Sequence, residues 1–206
     1  MASMANQVFR TAARGLRRLA GAALVAGTCA AALPPATAWA TTAFPPAQTV
    51  QGQALVLQGA GTRYRAIFKV YDMALYLPRK AQSEQEVLAL RGPVRLNFVA
   101  LRDLPGTDLG VTFIRGLTNN ATPEQIRRHT PSSNRLVEIF SGRSKLMAGD
   151  TFAMEFVPGK GTTFFIQGEA QGAPVGDEEY FGMILRIWLG QSPADHQLKT
   201  ALLALP

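Results

Sequence analysis

Few side chains in this 206-residue sequence have the types and spacing that chemistry requires. His129 and His196 lie far apart, without H-x-x-x-H or similar ligand spacing, so no metal site is expected. Both fall in polar helical stretches and are expected at the surface. The one cysteine, Cys29, sits near the N-terminus. No G-x-S-x-G elbow, phosphate-binding loop or dinucleotide fingerprint occurs, and Gly59-x-Gly61 runs into a strand, not a helix; no cofactor is expected. What remains is a group of cations and phenols: Arg63, Arg65 and Lys69 at alternating positions, followed by Tyr71 and Tyr76. A fixed planar guanidinium in an apolar site can hold a carboxylate or stabilise an oxyanion. Three cations on one strand face are also what a solvated surface looks like, and spacing alone favours that for Arg63. Tyr71 and Tyr76 could line a cleft or pack in a core, with core expected for Tyr76. Arg102 and Asp103 read as a structural ion pair or turn contact, and Arg127-Arg128 as solvated surface.

The N-terminus must be set apart before charge is interpreted. Residues 1–40 hold no acid, and their basic residues are Arg10, Arg14, Arg17 and Arg18. An apolar run from Leu19 to Leu33 follows, then Pro34-Pro35 and Ala38-Trp39-Ala40. That is the order of a secretory signal, with cleavage expected after Ala40 and the periplasm as destination. The run is broken by Thr28, Cys29 and the prolines, which leaves it short for ~30 Å of hydrocarbon. No membrane span is expected once it is removed, and the general secretory and twin-arginine routes both stay open. The whole chain has 21 basic and 14 acidic residues, +7; without the four signal arginines it is 17 − 14 = +3. The basic excess is partly a targeting feature and gives no reason to expect a nucleic-acid partner. Cys29 leaves with the signal, and with it any disulfide or thiolate chemistry.

Beyond the signal, Thr41 to Gln51 reads as an extended leader that packs little, and 52–206 as one domain. Strand patterns cover Gln53–Leu57, closed by Gly59-Ala60-Gly61, and then a period of two from Thr62 to Leu77. This second stretch is either one bent strand or two meeting near Tyr71 and Asp72. Ser83-Glu84-Gln85-Glu86 is a capping box, and Val94, Leu96, Phe98 and Ala100 alternate again. Thr107 or Asp108 can cap a helix ending at Asn119-Asn120, and Thr122-Pro123 starts another. Thr151–Val157 and the return after Pro158-Gly159-Lys160-Gly161 form a hairpin. The helix after Asp177 is apolar nearly all round, as a helix buried on several sides would be. Ser192-Pro193 opens a last helix. Strands, helices, a hairpin and helices again predict an α+β fold, an antiparallel sheet covered on one face by helices.

Two stretches carry a family likeness. Gly59-Ala60-Gly61-Thr62-Arg63, with Phe68-Lys69-Val70-Tyr71 and Ala74-Leu75-Tyr76-Leu77, resembles the opening hairpin of the chalcone isomerase family. Ile187-Trp188-Leu189-Gly190-Gln191-Ser192-Pro193 resembles its closing helices, especially in the exported bacterial branch. Ala100-Leu101-Arg102-Asp103, Gly149-Asp150 and Pro158-Gly159-Lys160-Gly161-Thr162 lie between in the expected order. The resemblance implies an open-faced β-sandwich, a large antiparallel sheet under a helical layer with a ligand cleft between them. The family includes plant enzymes that cyclise chalcones and non-catalytic members that bind fatty acids.

Arg63 matches the family's arginine, which meets a phenolate in the enzymes and a carboxylate in the binders. Tyr71 stands where a threonine belongs. The loop Pro105-Gly106-Thr107-Asp108 lacks the expected tyrosine, and no match is found for an asparagine on the next helix. The resemblance therefore implies a non-catalytic protein that binds a small amphipathic acid such as a fatty acid. Arg63 would sit at its anionic end, with Tyr71 beside it. Two alternatives stay open: an intramolecular lyase on a chalcone-like or other enone substrate, with Arg63 stabilising an oxyanion, and a protein-interaction module without a small ligand. Oligomeric state is not legible.

Overall fold

The computed structural model describes residues 40–204. The expected signal segment, apart from Ala40, lies outside the described residues. In chain order the elements are β1 (Ala47–Val50), β2 (Gln53–Arg65), β3 (Phe68–Leu77), α1 (Glu84–Ala89), β4 (Val94–Ala100), β5 (Leu104–Pro105) and α2 (Gly106–Asn120). Then come α3 (Pro123–Arg128), α4 (Thr130–Ser141), β6 (Lys145–Leu146), β7 (Thr151–Val157), β8 (Gly161–Ile166), β9 (Glu169–Ala170), α5 (Glu178–Leu189) and α6 (His196–Leu203). One seven-stranded antiparallel sheet has the order β1-β2-β3-β4-β7-β8-β9, and β5 and β6 form a separate small ribbon. Helices cover one face. The expected α+β architecture is the one observed.

The strand pattern explains which face is covered. Tyr71, Met73, Leu75 and Leu77 of β3 point inward with Leu96 and Phe98 of β4 and Phe152, Met154 and Phe156 of β7. Helix α5 lies among them, begun by Asp177, whose side chain accepts from the Tyr180 amide. Eight of its residues are buried, which accounts for its all-round apolarity. Close helix packing depends on glycines: a Cβ on Gly116 of α2 would come 2.8 Å from Ile187 of α5. A Cβ on Gly59 would come 2.2 Å from the Ala201 carbonyl oxygen, so α6 rests directly on the β2 backbone.

Several local expectations are corrected. The hairpin turns at Ala66-Ile67, not near Tyr71 and Asp72, and Gly59 to Gly61 lie inside β2. A register shift between Arg63 and Tyr64 breaks the simple alternation, so Arg65 does not share the inward course of Arg63. The leader packs more than its composition suggests. Its β1 pairs with β2, and Tyr76 donates to the Pro45 carbonyl over 2.9 Å. Phe44 packs with Val50, Leu55, Ala74 and Tyr76 in a small cluster on the far face. The buried Asp72 carboxylate accepts from the Thr62 hydroxyl and the Thr42 amide, both at 2.5 Å. Helix α2 begins at Gly106 without a side-chain cap, and α6 begins at His196 with Asp195 as its cap. His129 is buried, 2.8 Å from Glu179 and 5.4 Å from the Tyr180 ring, not at the surface. Asp103 pairs with Lys145 at 2.7 Å, whereas Arg102 stands over the Phe68 ring.

Candidate functional site

Arg63 and Tyr71 are directly opposed across the β2–β3 ladder, at the end of the sheet where β2 shifts register. Both line a cavity of about 230 Å³ between sheet and helices. The Arg63 guanidinium carbon lies 5.5 Å from the centre of the Tyr71 ring. Its Nε is buried and among the described residues has no hydrogen-bond partner, and no carboxylate there forms an ion pair with the guanidinium. A buried donor without an acceptor costs about 1–3 kcal/mol. A cation kept in this state is poised for an anionic ligand.

Tyr71 is fixed from several sides. It meets Phe98 edge-on at 5.5 Å, and Phe98 stacks on Phe152 at 4.3 Å. The Trp188 indole donates to its hydroxyl over 2.7 Å. Since that bond uses an oxygen lone pair, the phenolic proton remains to donate elsewhere. Burial pushes the Tyr71 hydroxyl pKa up, against the lowering influence of the Arg63 charge and of hydrogen bonds from Trp188 and from the Arg63 guanidinium. At neutral pH Tyr71 is therefore a donor rather than a base.

The strand end is held in place by Asp195, which accepts from the Tyr64 amide at 2.8 Å while capping α6. Helix α2 brings Thr112, Arg115 and Asn119 to the same cavity, and the loop after α5 brings Ser192 to Ala194. Asn120 anchors that loop, accepting from the Ser192 amide at 3.0 Å and donating to its carbonyl at 2.9 Å. Most of the remaining wall is apolar, including Phe113, Phe140, Met154 and Ile187.

Both residues expected to bind ligand, Arg63 and Tyr71, thus face one cavity. Asn119, Arg115 and Thr112 were not expected there. Their spacing along α2 (112, 115, 119) is that of one helix face, the signal by which they could have been found. Asn119 supplies an asparagine on the helix after β5 where none was matched. The loop Pro105-Gly106-Thr107-Asp108 contains no tyrosine.

A second cavity of about 340 Å³ lies against the other face, bordered by Phe44, Gln48, Arg95, Asn97 and Phe165. Its cation is already committed, because Arg95 meets Glu155 at 2.5 Å and Asn97 at 2.8 Å. The smaller cavity is therefore the better candidate for an anion. Among the described residues no group of three or more His, Cys, Asp or Glu could hold a metal ion, and no helix is long and apolar enough to cross a membrane.

A family model described as chalcone isomerase-like matches residues 36–204. No curated protein matches the chain. Among solved structures, an Arabidopsis thaliana fatty-acid binding protein is similar, with a TM-score of 0.59 and 14% sequence identity. The likeness covers 84% of this chain and 95% of that one, and it shows a shared fold.

Proposed function

This chain belongs to the chalcone isomerase-like family, and on that premise we propose that it binds a small amphipathic acid, such as a fatty acid, without transforming it. The observation that carries this reading is the buried Arg63 Nε, which has no hydrogen-bond partner among the described residues and belongs to a guanidinium lining a mostly apolar cavity. The carboxylate would take the guanidinium and the free Tyr71 proton, and the tail would lie against Phe113, Phe140 and Met154. A charge-assisted bond of this kind orients the ligand, while apolar burial supplies most of the affinity. At about 230 Å³ the cavity is below the ~300–1,000 Å³ typical of drug-sized ligands. That size suits a short or medium chain, with any longer tail reaching the mouth. The similar plant protein is named for fatty-acid binding, which agrees with this reading. Native mass spectrometry of protein recovered from cells tests it: a retained carboxylic acid, lost on denaturation, is expected. Protein that neither retains an acid nor takes up dodecanoate would contradict it.

Asn119 in the same cavity gives the lyase alternative its one specific support, since an amide lining the cavity with Arg63 could share an oxyanion. Against it, the loop tyrosine is missing and Tyr71 is held protonated. Chalcone turnover, followed by absorbance, is expected at the buffer rate; stereospecific turnover at enzyme-like rates would establish the alternative.

We also propose export to the periplasm with removal of residues 1–40, on the strength of the sequence pattern. Intact mass of protein from a periplasmic extract should correspond to a chain starting at Thr41. A mass retaining Arg10 to Arg18 would contradict this.

A further inference from the structure

The tip of the β2–β3 hairpin is built in a way that hairpin stability does not explain. A two-residue turn ordinarily takes Asn-Gly or Gly-rich pairs, because its backbone enters the left-handed region. Here the turn is Ala66-Ile67, and Ala66 has φ +53°. The turn thus tolerates backbone strain while presenting two large apolar side chains to solvent: Ile67 is 84% exposed and Phe68 59%. A single exposed apolar residue is unremarkable, but an adjacent pair at an apex is a projecting wedge.

Cations surround it. Arg65 is the ladder partner of Phe68, Lys69 that of Tyr64, and the Arg102 guanidinium carbon lies 5.8 Å from the Phe68 ring centre. None of the three takes part in an ion pair among the described residues. The acids close in sequence or space are engaged elsewhere. Asp103 holds Lys145 and the Ala148 amide, Asp195 accepts from backbone amides, and Asp72 is buried with Thr62 and Thr42. Lys69 donates to the Thr41 hydroxyl, at 3.1 Å.

We propose that this tip, Arg65 to Lys69 with Arg102, docks on an anionic lipid surface. Ile67 and Phe68 would enter the headgroup–acyl boundary, and the cations would lie at the level of the lipid phosphates. An apolar wedge flanked by unpaired cations is the combination that such a boundary recognises. The ladder then links the surface to the cavity. Passing from Arg65↔Phe68 through Tyr64↔Lys69 reaches Arg63↔Tyr71. At ~3.3 Å per strand residue, the anion-binding end lies roughly 7 Å from the tip pair. Docking would bring that end close to the plane where an amphipathic acid carries its own headgroup.

This inference goes beyond ligand binding and is tested apart from it. Residues 40–204 lie within one compact unit, so protein beginning at Thr41 can be sedimented with vesicles of phosphatidylcholine alone or mixed with phosphatidylglycerol. Binding to the mixed vesicles is expected, weakening as salt rises, with little binding to the neutral ones. Ile67→Ser with Phe68→Ser should abolish it. Arg65→Gln and Lys69→Gln should each lower it about fivefold. All four side chains are exposed, so melting curves should be unchanged, which separates lost docking from lost folding. Dodecanoate binding in solution by the Ile67→Ser, Phe68→Ser variant should equal that of the wild type. If the wild type fails to bind dodecanoate, the acid-binding reading falls and the vesicle result still stands. Failure to sediment with phosphatidylglycerol vesicles, or equal sedimentation of the serine variant, would overturn the proposal, including where the tip is found to hold a protein partner instead.

Discussion

The indole N–H of Trp188 donates to the Tyr71 hydroxyl over 2.7 Å, joining the last turn of α5 to the strand that carries one wall of the cavity. Both residues are buried. The bond therefore has two effects: it satisfies the indole, and it directs the remaining phenolic proton away from Trp188. The helix layer and the ligand-facing strand are held in register by the same contact that orients a donor in the site.

Tyr71→Phe should leave the Trp188 N–H buried and unpaired, at a cost of about 1–3 kcal/mol. For a domain of this size the melting temperature should fall by about 2–4 °C per kcal/mol. Calorimetry on the variant checks this, and an unchanged melt would mean that water replaces the hydroxyl.

Gly59 and Gly182 should respond to alanine in opposite directions. At Gly59 the new Cβ meets the carbonyl oxygens of Ala201 and Leu202 at 2.2 and 2.5 Å. Backbone cannot yield there, so a loss of about 1–3 kcal/mol or more is expected, with α6 displaced. At Gly182, inside α5, a Cβ would meet no described residue outside the helix's own backbone closer than Arg186 Nη1 at 3.9 Å. Helix propensity then dominates, and a gain of about 0.5–1 kcal/mol is expected. Urea midpoints of the two variants decide both.

Glu179 links α5 to the α3–α4 corner through His129, Arg128 and Gln125. Bonds from His129 and then Arg128 lower its pKa from 4.5 to about 2. A carboxylate more acidic in the folded state favours folding above its unfolded pKa and loses that contribution as pH falls through the folded one. Wild-type stability should therefore decline between about pH 4.5 and pH 2. The difference between wild type and Glu179→Gln should shrink across the same window. A pH-independent difference would show that Glu179 acts through packing.

Much of the architecture was legible because it rests on local periodicity. Val94 to Ala100 and Thr151 to Val157 alternate cleanly and form β4 and β7 within the expected bounds. The all-round apolarity of α5 announced its central position. What was not legible depends on contacts distant in sequence. A period of two carries no sign of the Arg63–Tyr64 register shift, so spacing alone groups Arg63 with Arg65 and Lys69. His129 looked like a surface residue because its partner, Glu179, lies fifty positions away. The leader looked unpacked because Phe44 and Val50 find their cluster on β2 and β3. At the site, the family likeness singled out Arg63 and Tyr71. Asn119 escapes sequence reasoning because apolar spacing dominates the pattern of α2, while the face turned to the cavity carries Thr112, Arg115 and Asn119.

The central claim is that Arg63 anchors an acid, and paired ligands differing only in the headgroup test it most directly. Calorimetric affinities of dodecanoate and dodecanol should be measured for wild type, Arg63→Ala and Arg63→Lys. A charge-assisted bond to a partly desolvated carboxylate is worth roughly 1.5–3 kcal/mol. Arg63→Ala should therefore weaken acid binding about ten- to a hundredfold and leave the alcohol nearly unchanged. Lysine should restore only part, lacking the planar fork. Equal losses for acid and alcohol would show that Arg63 supports the fold rather than the ligand, and no loss for either would contradict the account.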